Sequence, residues 1–326
     1  METRPEPAIA TMSMREPAPP SDGPLAGPHA PAPVCARPVA LFAKLTLEAA
    51  FQRILQNCLE QVTANLPGVL ARDAECLHQM RVGLRRLRAA LDLFKRKVRL
   101  PAALRHDLDW LSALLGKARD WDVLTAQTLA QVGGDDWHAD RQALRASAGV
   151  HAAAAHNTVR RALRSARCKR LFMALAGWIS GCEWRQPQDG VQPGKLERPV
   201  SNGMRPLLDK TRRRLRKRLR KADPDDAAAL HRVRIAAKKY RYAAEFFQAL
   251  LPARALKRQL RRLSALQDAL GRLNDLATAD RLLALLEQEA GTCGPAAFAR
   301  GYLAAVAQAG RLQIKKRIKH RGIPTL

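Results

Sequence analysis

Leucine, isoleucine and phenylalanine recur at helical spacing from residue 42 onward, first in "FAKLTLEAAFQRILQNCLEQVTANL", and the pattern continues to about Trp184. It breaks at 185–206, "RQPQDGVQPGKLERPVSNGMRP", where four prolines and three glycines fall without periodicity, so a linker is predicted there. A second helical run follows from Leu207 to about Lys319. No segment alternates apolar and polar residues with period two, so no strand is predicted. The expected organisation is all-α, with helical bodies over 39–184 and 207–320. Residues 1–38 carry half of the 20 prolines, with Ala and Gly between them, and are expected to form a disordered or weakly extended tail.

The two helical runs share their wording. "HQMRVGLRRLRAALDLF" (78–94) maps on "HRVRIAAKKYRYAAEFF" (231–247) with an offset of 231 − 78 = 153. Downstream, "LGKARD" (115–120) maps on "LGRLND" (270–275) with an offset of 270 − 115 = 155. Two phrases at nearly one offset indicate a tandem duplication whose halves meet at the linker. A repeat this long makes each half a domain-sized bundle rather than a solenoid unit. Homologous halves usually pack about a pseudo-twofold axis, which would bring the two His phrases to related positions at a shared interface.

The phrase has two faces when wound as a helix. With His78 at zero and about 100° per residue, Arg81, Arg85 and Arg88 fall at about −60°, −20° and −80°, one sector about 80° wide. Met80, Leu84, Leu87, Leu91 and Phe94 form a separate apolar stripe that should face a core. In the second copy His231, Arg234, Lys238 and Arg241 share the basic row, and Val233, Ala237, Tyr240, Ala244 and Phe247 share the apolar stripe. Arg86 and Lys239 fall off the row and are weaker candidates. Each row is about 15 Å long at 1.5 Å rise per residue. An ordinary solvated face has no reason to recur residue by residue, so a binding row is the better reading. The histidines stay open on these grounds: a neutral core imidazole capped by a carbonyl, or a phosphate-facing imidazole whose charged form a nearby phosphate favours.

Composition narrows the partner. Lys and Arg number 57 against 29 Asp and Glu, a net charge of +28, with an isoelectric point near 11.1. Such an excess attracts polyanions: nucleic acid, an acidic membrane surface, or a polymer of phosphate. The six cysteines are scattered with no CxxC pair, as expected for reduced thiols in a cytosolic protein. The longest apolar run, around "LFMALAGWISG", is too short to span a membrane.

The doubled motifs resemble the CHAD family, the conserved histidine α-helical domain. The matching residues are His78-x-x-Arg81-Val82-x-x-Arg85-x-x-Arg88 and His231-x-x-Arg234-Ile235-x-x-Lys238-x-x-Arg241-Tyr242, with "LGKARDWDVL" and "LGRLNDLATA" as the second pair of motifs. The resemblance covers about 40 to 320. It implies two four-helix bundles related by pseudo-twofold symmetry, around a basic central channel that binds inorganic polyphosphate. It also implies association with polyphosphate granules in the cytoplasm. Carried over by position, the channel-lining set is His78, Arg81, Arg85, Arg88, His231, Arg234, Lys238 and Arg241. Gly83 departs from a good helix former, at a cost of about 1 kcal/mol relative to Ala, and lies off the basic row.

Phosphate chemistry would normally leave a signature, and the chain has no GxxxxGK[ST], no HExxH and no run of alternating carboxylates for Mg²⁺. His106-Asp107 lacks a supporting ligand set, and His151 and His156 have no carboxylate at ligand spacing. The expectation is therefore a non-catalytic binding protein without cofactor or metal. Nucleic acid is the rival partner. Aromatics are only 5% of the chain, and those in the repeated phrases lie on the apolar stripe, which disfavours base stacking. Non-specific nucleic-acid binding remains open to outer basic helices such as "KTRRRLRKRLRK" (210–221), since phosphate contacts need no code.

Overall fold

The computed structural model describes residues 32–133, 137–186 and 196–320. Among these there is no strand, and the protein is all-α as expected. The first half runs α1 (Leu47–Ala64), the short α2 (Leu66–Leu70), α3 (Ala74–Phe94), α4 (Ala102–Val123), α5 (His138–Arg164) and α6 (Ala166–Ser180). The second runs α7 (Val200–Arg220), α8 (Ala227–Phe246), α9 (Ala253–Leu286) and α10 (Cys293–His320). α7 begins inside the stretch read as a linker, because Pro199 stands as its N-cap and the helix tolerates Pro206 within its second turn. Residues 187–195 of that stretch, and residues 1–31 of the tail, lie outside the described residues. The end of the tail is anchored: Val34 exchanges two hydrogen bonds with the buried Asn65 side chain, at 3.0 and 2.9 Å, and Val39 and Leu41 enter the core.

The order of helix contacts repeats. α1 packs on α3, α3 on α4 and α4 on α5; likewise α7 packs on α8, α8 on α9 and α9 on α10. The halves meet through like helices, α3 against α8 and α4 against α9. The first half exceeds a four-helix bundle, because α6 also packs on α1, α4 and α5. It buries Cys168, Leu171, Leu175, Trp178 and Ile179, one face of a helix.

The predicted apolar stripes are where the cores form. Met80, Leu84, Leu87 and Phe94 are buried, as are Val233, Ala237, Tyr240, Ala244 and Phe247, while Leu91 is half-buried. The first half is backed by large rings: Phe51 lies 4.4 Å from Phe94 and 5.1 Å from Trp184, which meets Trp178 edge-on at 4.9 Å. Each such pair adds about 0.5–1.5 kcal/mol beyond the area it buries. The separate cluster of the second half is leaner, with Tyr240 as its one aromatic among Leu, Ala, Val and Ile. Gly83 has a packing reason: a Cβ there would stand 2.8 Å from Val62 Cγ2 and 3.3 Å from the Cys58 carbonyl oxygen. Its absence lets α1 and α3 close together. No disulfide links the described cysteines, and no described helix is long and apolar enough to cross a membrane.

Candidate anion-binding site

Both row helices start from an aspartate that sets their phase. The Asp73 carboxylate accepts from Cys76 N at 2.6 Å, and the Asp226 carboxylate accepts from Ala228 N at 2.7 Å. These caps stand at the same offset as the histidines, 226 − 73 = 153, so each histidine enters its helix at the same register. Because α3 and α8 touch, their basic rows come within reach of each other.

The inner row positions converge. Lys238 stands among the charges of Arg85, Arg234 and Arg81, with Asp275 opposing them; burial and those guanidinium groups push its ammonium down to about 7. Burial likewise lowers Arg81 and Arg234, which act on each other across the two helices, and Arg85 adds to the repulsion on both. Two carboxylates stand in this group. Asp120 lies 3.7 Å from Arg81 Nη1, and Asp120 and Asp275 line one small cavity between α4 and α9. Burial raises the Asp120 carboxyl despite Arg81, and the charge of Asp275 adds to that rise. The pair with Arg81 is therefore a loose one.

The partners of the four inner cations differ. Arg81 Nη1 donates to the Gly116 carbonyl at 2.7 Å and to that of Leu115 at 3.4 Å. A Cβ on Gly116 would lie 3.4 Å from that nitrogen, so the "LG" of the second motif serves as the seat of a row arginine. Among the described residues Arg85, Arg234 and Lys238 make no hydrogen bond or ion pair, and the Nε atoms of Arg85 and Arg234 are sealed from solvent without a partner. Polar groups left this way call for an explanation.

The other predicted residues surround this group, the arginines among them with partners of their own. Arg88 is ion-paired with Asp109 of α4. Arg241 donates to Glu245 at 2.6 Å and to Gln267 at 3.1 Å, so the far end of each row is neutralised. His78 is half-buried, and burial, with Arg119 and Arg85 and against the pull of Glu75, lowers its imidazole. His231 is exposed and lines a cavity of about 340 Å³ between α8, α9 and α10. Neither ring is hydrogen-bonded to a described residue, so the carbonyl-capped role is not the one observed. Arg119, a further cation acting on His78 and Arg81, escaped the sequence reading because its place in the second copy is taken by Asn274, 274 − 119 = 155.

The weaker candidates have structural partners. Arg86 is buried and donates to Gln61 Oε1 at 2.7 Å and Asn57 Oδ1 at 3.0 Å. Lys239 reaches across to Asp92 of α3 at 2.9 Å, and Asp107 is held by Arg167 at 2.6 Å. His151 and His156, without a carboxylate at ligand spacing along the chain, each meet a distant one: Glu289 at 2.6 Å and Asp122 at 2.8 Å. These pairings join segments distant in the chain, which residue spacing does not reveal.

No curated relative matches the chain, but family and structure comparisons do find matches. The crystal structure of the CHAD domain from the plant Ricinus communis is 38% identical and superposes with a TM-score of 0.80, covering 90% of this chain and 99% of that one. PptA from Streptomyces chartreusis has a TM-score of 0.61 at 19% identity, covering 84% of this chain and 98% of its own, a likeness of fold. The CHAD domain family model matches residues 53–284, a span that holds both row helices and both LG motifs. With doubled motifs, the all-helical fold and this match in agreement, the chain belongs to the CHAD domain family.

Proposed function

We propose that this chain is a non-catalytic binding protein for inorganic polyphosphate, held where the inner rows of α3 and α8 converge. One observation carries the reading: Arg81, Arg85, Arg234 and Lys238 repel one another in a half-buried group in which only Asp120 and Asp275 are anionic. A linear polyanion relieves that repulsion, with phosphoryl oxygens bridged by guanidinium forks and the ammonium group. His78 and His231 flank the group and extend the track at one end, while Arg88 and Arg241 would join it only by leaving their carboxylates. The CHAD resemblance supports the same ligand and, with it, association with polyphosphate granules in the cytoplasm.

A second reading rests on a separate observation. Arg213, Arg214, Arg216, Lys217, Arg218 and Arg220 of α7 are exposed, and none makes an ion pair among the described residues. Such a ridge suits non-specific contact with nucleic-acid phosphates. The test is competition of labelled long-chain polyphosphate against double-stranded DNA and RNA at several salt concentrations, since multi-contact polyanion binding weakens steeply with salt. Polyphosphate should win at moderate salt. Arg81→Glu or Arg234→Glu should weaken its binding more than the double change Arg213→Glu/Arg214→Glu. Preference for DNA, or a larger loss from the α7 double change, would overturn the assignment.

A further inference from the structure

The cavity between α8, α9 and α10 has a chemistry that bare phosphate does not use. Its floor is apolar, with Leu270, Leu276 and Leu303, and its rim carries His231, Arg234 and Asn274. Its other arginine pair is asymmetric. Arg300 is neutralised by Asp280 at 2.8 Å and by Glu287, whereas Arg311 bonds only the neutral Gln308, at 3.5 Å. A hydrated phosphate pressed on such a floor would lose water without gaining a partner. Arg234 belongs both to this cavity and to the converged cations. A ligand lying in the cavity can therefore run an anionic tail directly onto the row.

The matching residues of the first half differ at two of these places. At the offset of 155, Leu276 and Ala277 correspond to Trp121 and Asp122. The same offset pairs the buried Leu144, Ala148 and Val159 of α5 with the buried Ala299, Leu303 and Ile314 of α10. In the first half Trp121 is buried and stacks on His151 at 4.6 Å, while Asp122 Oδ1 accepts from His156 Nε2 at 2.8 Å. At these two places the first half carries the larger and paired groups, Trp121 and Asp122, where the second half has Leu276 and Ala277. An apolar floor that continues into the cationic row is a place where a ligand with an anionic tail can lie.

We propose that this cavity takes the nucleoside of a nucleoside polyphosphate whose phosphates lie on Arg234, Lys238, Arg85 and Arg81, an extension that rests on the polyphosphate reading of those residues. The volume falls at the low end of small-ligand pockets. The leucines cover the faces of a base, and the Asn274 amide offers a donor and an acceptor to its edge. An alkyl or isoprenyl chain would use the floor but leave that amide unmatched.

The experiment is calorimetric titration of the full chain with tripolyphosphate, ATP, adenosine and geranyl diphosphate at one pH and ionic strength without Mg²⁺. ATP should bind at least tenfold more tightly than tripolyphosphate. Leu276→Trp, which restores the residue of the first half, should erase that gain and leave tripolyphosphate unchanged. Asn274→Leu is the second variant should the tryptophan prevent folding, and it should also remove most of the gain. If tripolyphosphate binds and ATP gains nothing, or gains as much in the filled cavity, the nucleoside site is overturned and the row reading stands. A gain for geranyl diphosphate without one for ATP overturns it as well. Binding of ATP without tripolyphosphate would keep the cavity and sink the row reading; binding of neither sinks both.

Discussion

In α3, Arg81 gives Nη1 to the carbonyls of Gly116 and Leu115 and stands 3.7 Å from Asp120. In α8, Arg234 holds the same place in the repeat, yet it makes no hydrogen bond or ion pair among the described residues and opens onto a cavity. The surroundings differ in the same sense. Behind α3 stand Phe51 and Trp184; behind α8 stands a cluster of Leu, Ala, Val and Ile with Tyr240, while Phe94 and its counterpart Phe247 are buried in both. Duplication has thus produced one copy that is braced and one that is open. On the proposed binding role, the braced copy would fix the geometry of the track and the open copy would leave its cations to the polyanion.

Charge reversal at the matched arginines is the strongest way to break this comparison. Arg234→Glu should lower polyphosphate affinity by about 10- to 100-fold, the worth of one charge-assisted contact. It should not lower the melting temperature, because Lys238 gains an anionic neighbour. Arg81→Glu should lose affinity as well, but it also sets a carboxylate against the Gly116 carbonyl and Asp120, and should reduce the melting temperature by several degrees. Binding titrations and thermal melts on the two variants read this directly. Equal melting temperatures would mean that the two copies are not differently braced.

How much of this contrast was written in the chain can be argued residue by residue. The rows, the stripes and the duplication follow from helical phase, and the caps Asp73 and Asp226 sit in plain view at the same offset as the histidines. Arg241 was also readable as a lesser candidate, since Glu245 lies four residues on along the same helix. Arg88 was not, because Asp109 comes from another helix. His156 likewise pairs with Asp122 of another helix, and His151 with Glu289 of the turn between α9 and α10. The cavity was illegible for a different reason: its lining comes from α8, α9 and α10 together, and Ala and Leu in an Ala- and Leu-rich chain announce nothing until the helices are packed.

Gly83 and its counterpart Ala236 (83 + 153 = 236) sharpen the comparison in the core. Gly83→Ala drives a methyl to 2.8 Å from Val62 Cγ2 and against backbone atoms of α1, and should destabilise by about 1–3 kcal/mol as overpacking does. Ala236 is already accommodated in the second half at 4% exposure, so Ala236→Gly should cost only about 1 kcal/mol of helix propensity. Denaturant midpoints for the two single variants separate the cases. A neutral Gly83→Ala would show that α1 and α3 can move apart at no cost.

The pH response belongs to the open half, because an arginine does not lose its proton and Lys238 is the titratable cation in the group. Facing it are Arg81 and Arg85 from α3, Arg234 from its own helix, and Asp275 from α9, with Asp120 of α4 acting on the arginines. Folding lowers its ammonium from the ordinary 10.5 to about 7. Below 7 the folded chain carries the full cost of a charged Lys238. Between 7 and 10.5 the unfolded chain keeps a proton that the folded chain releases, so this group makes stability rise with pH across that window. A polyanion favours the charged form, so affinity moves the other way and should fall by about fivefold from pH 7 to pH 8. Lys238→Arg keeps the charge and should flatten both trends. A wild-type affinity that is constant over this range would place the ligand away from Lys238.

The smallest effect tests whether the LG motif is a seat in one copy alone. Gly271, the counterpart of Gly116, has nothing within 4 Å of the position a Cβ would take. Gly271→Ala should therefore stabilise by up to about 1 kcal/mol, through helix propensity and a less flexible unfolded chain. Gly116→Ala gains the same propensity, but its methyl meets Arg81 Nη1 at 3.4 Å, just where that nitrogen must reach the Gly116 carbonyl. Its net gain should be smaller, and the difference should vanish when Arg81 is also changed to Ala. Chemical denaturation of this double-mutant cycle measures the coupling between the motif and the row arginine. Additive changes at Gly116 and Arg81 would mean that the glycine is there for some reason other than seating the arginine, and the bracing of the first copy would then rest on its aromatic core alone.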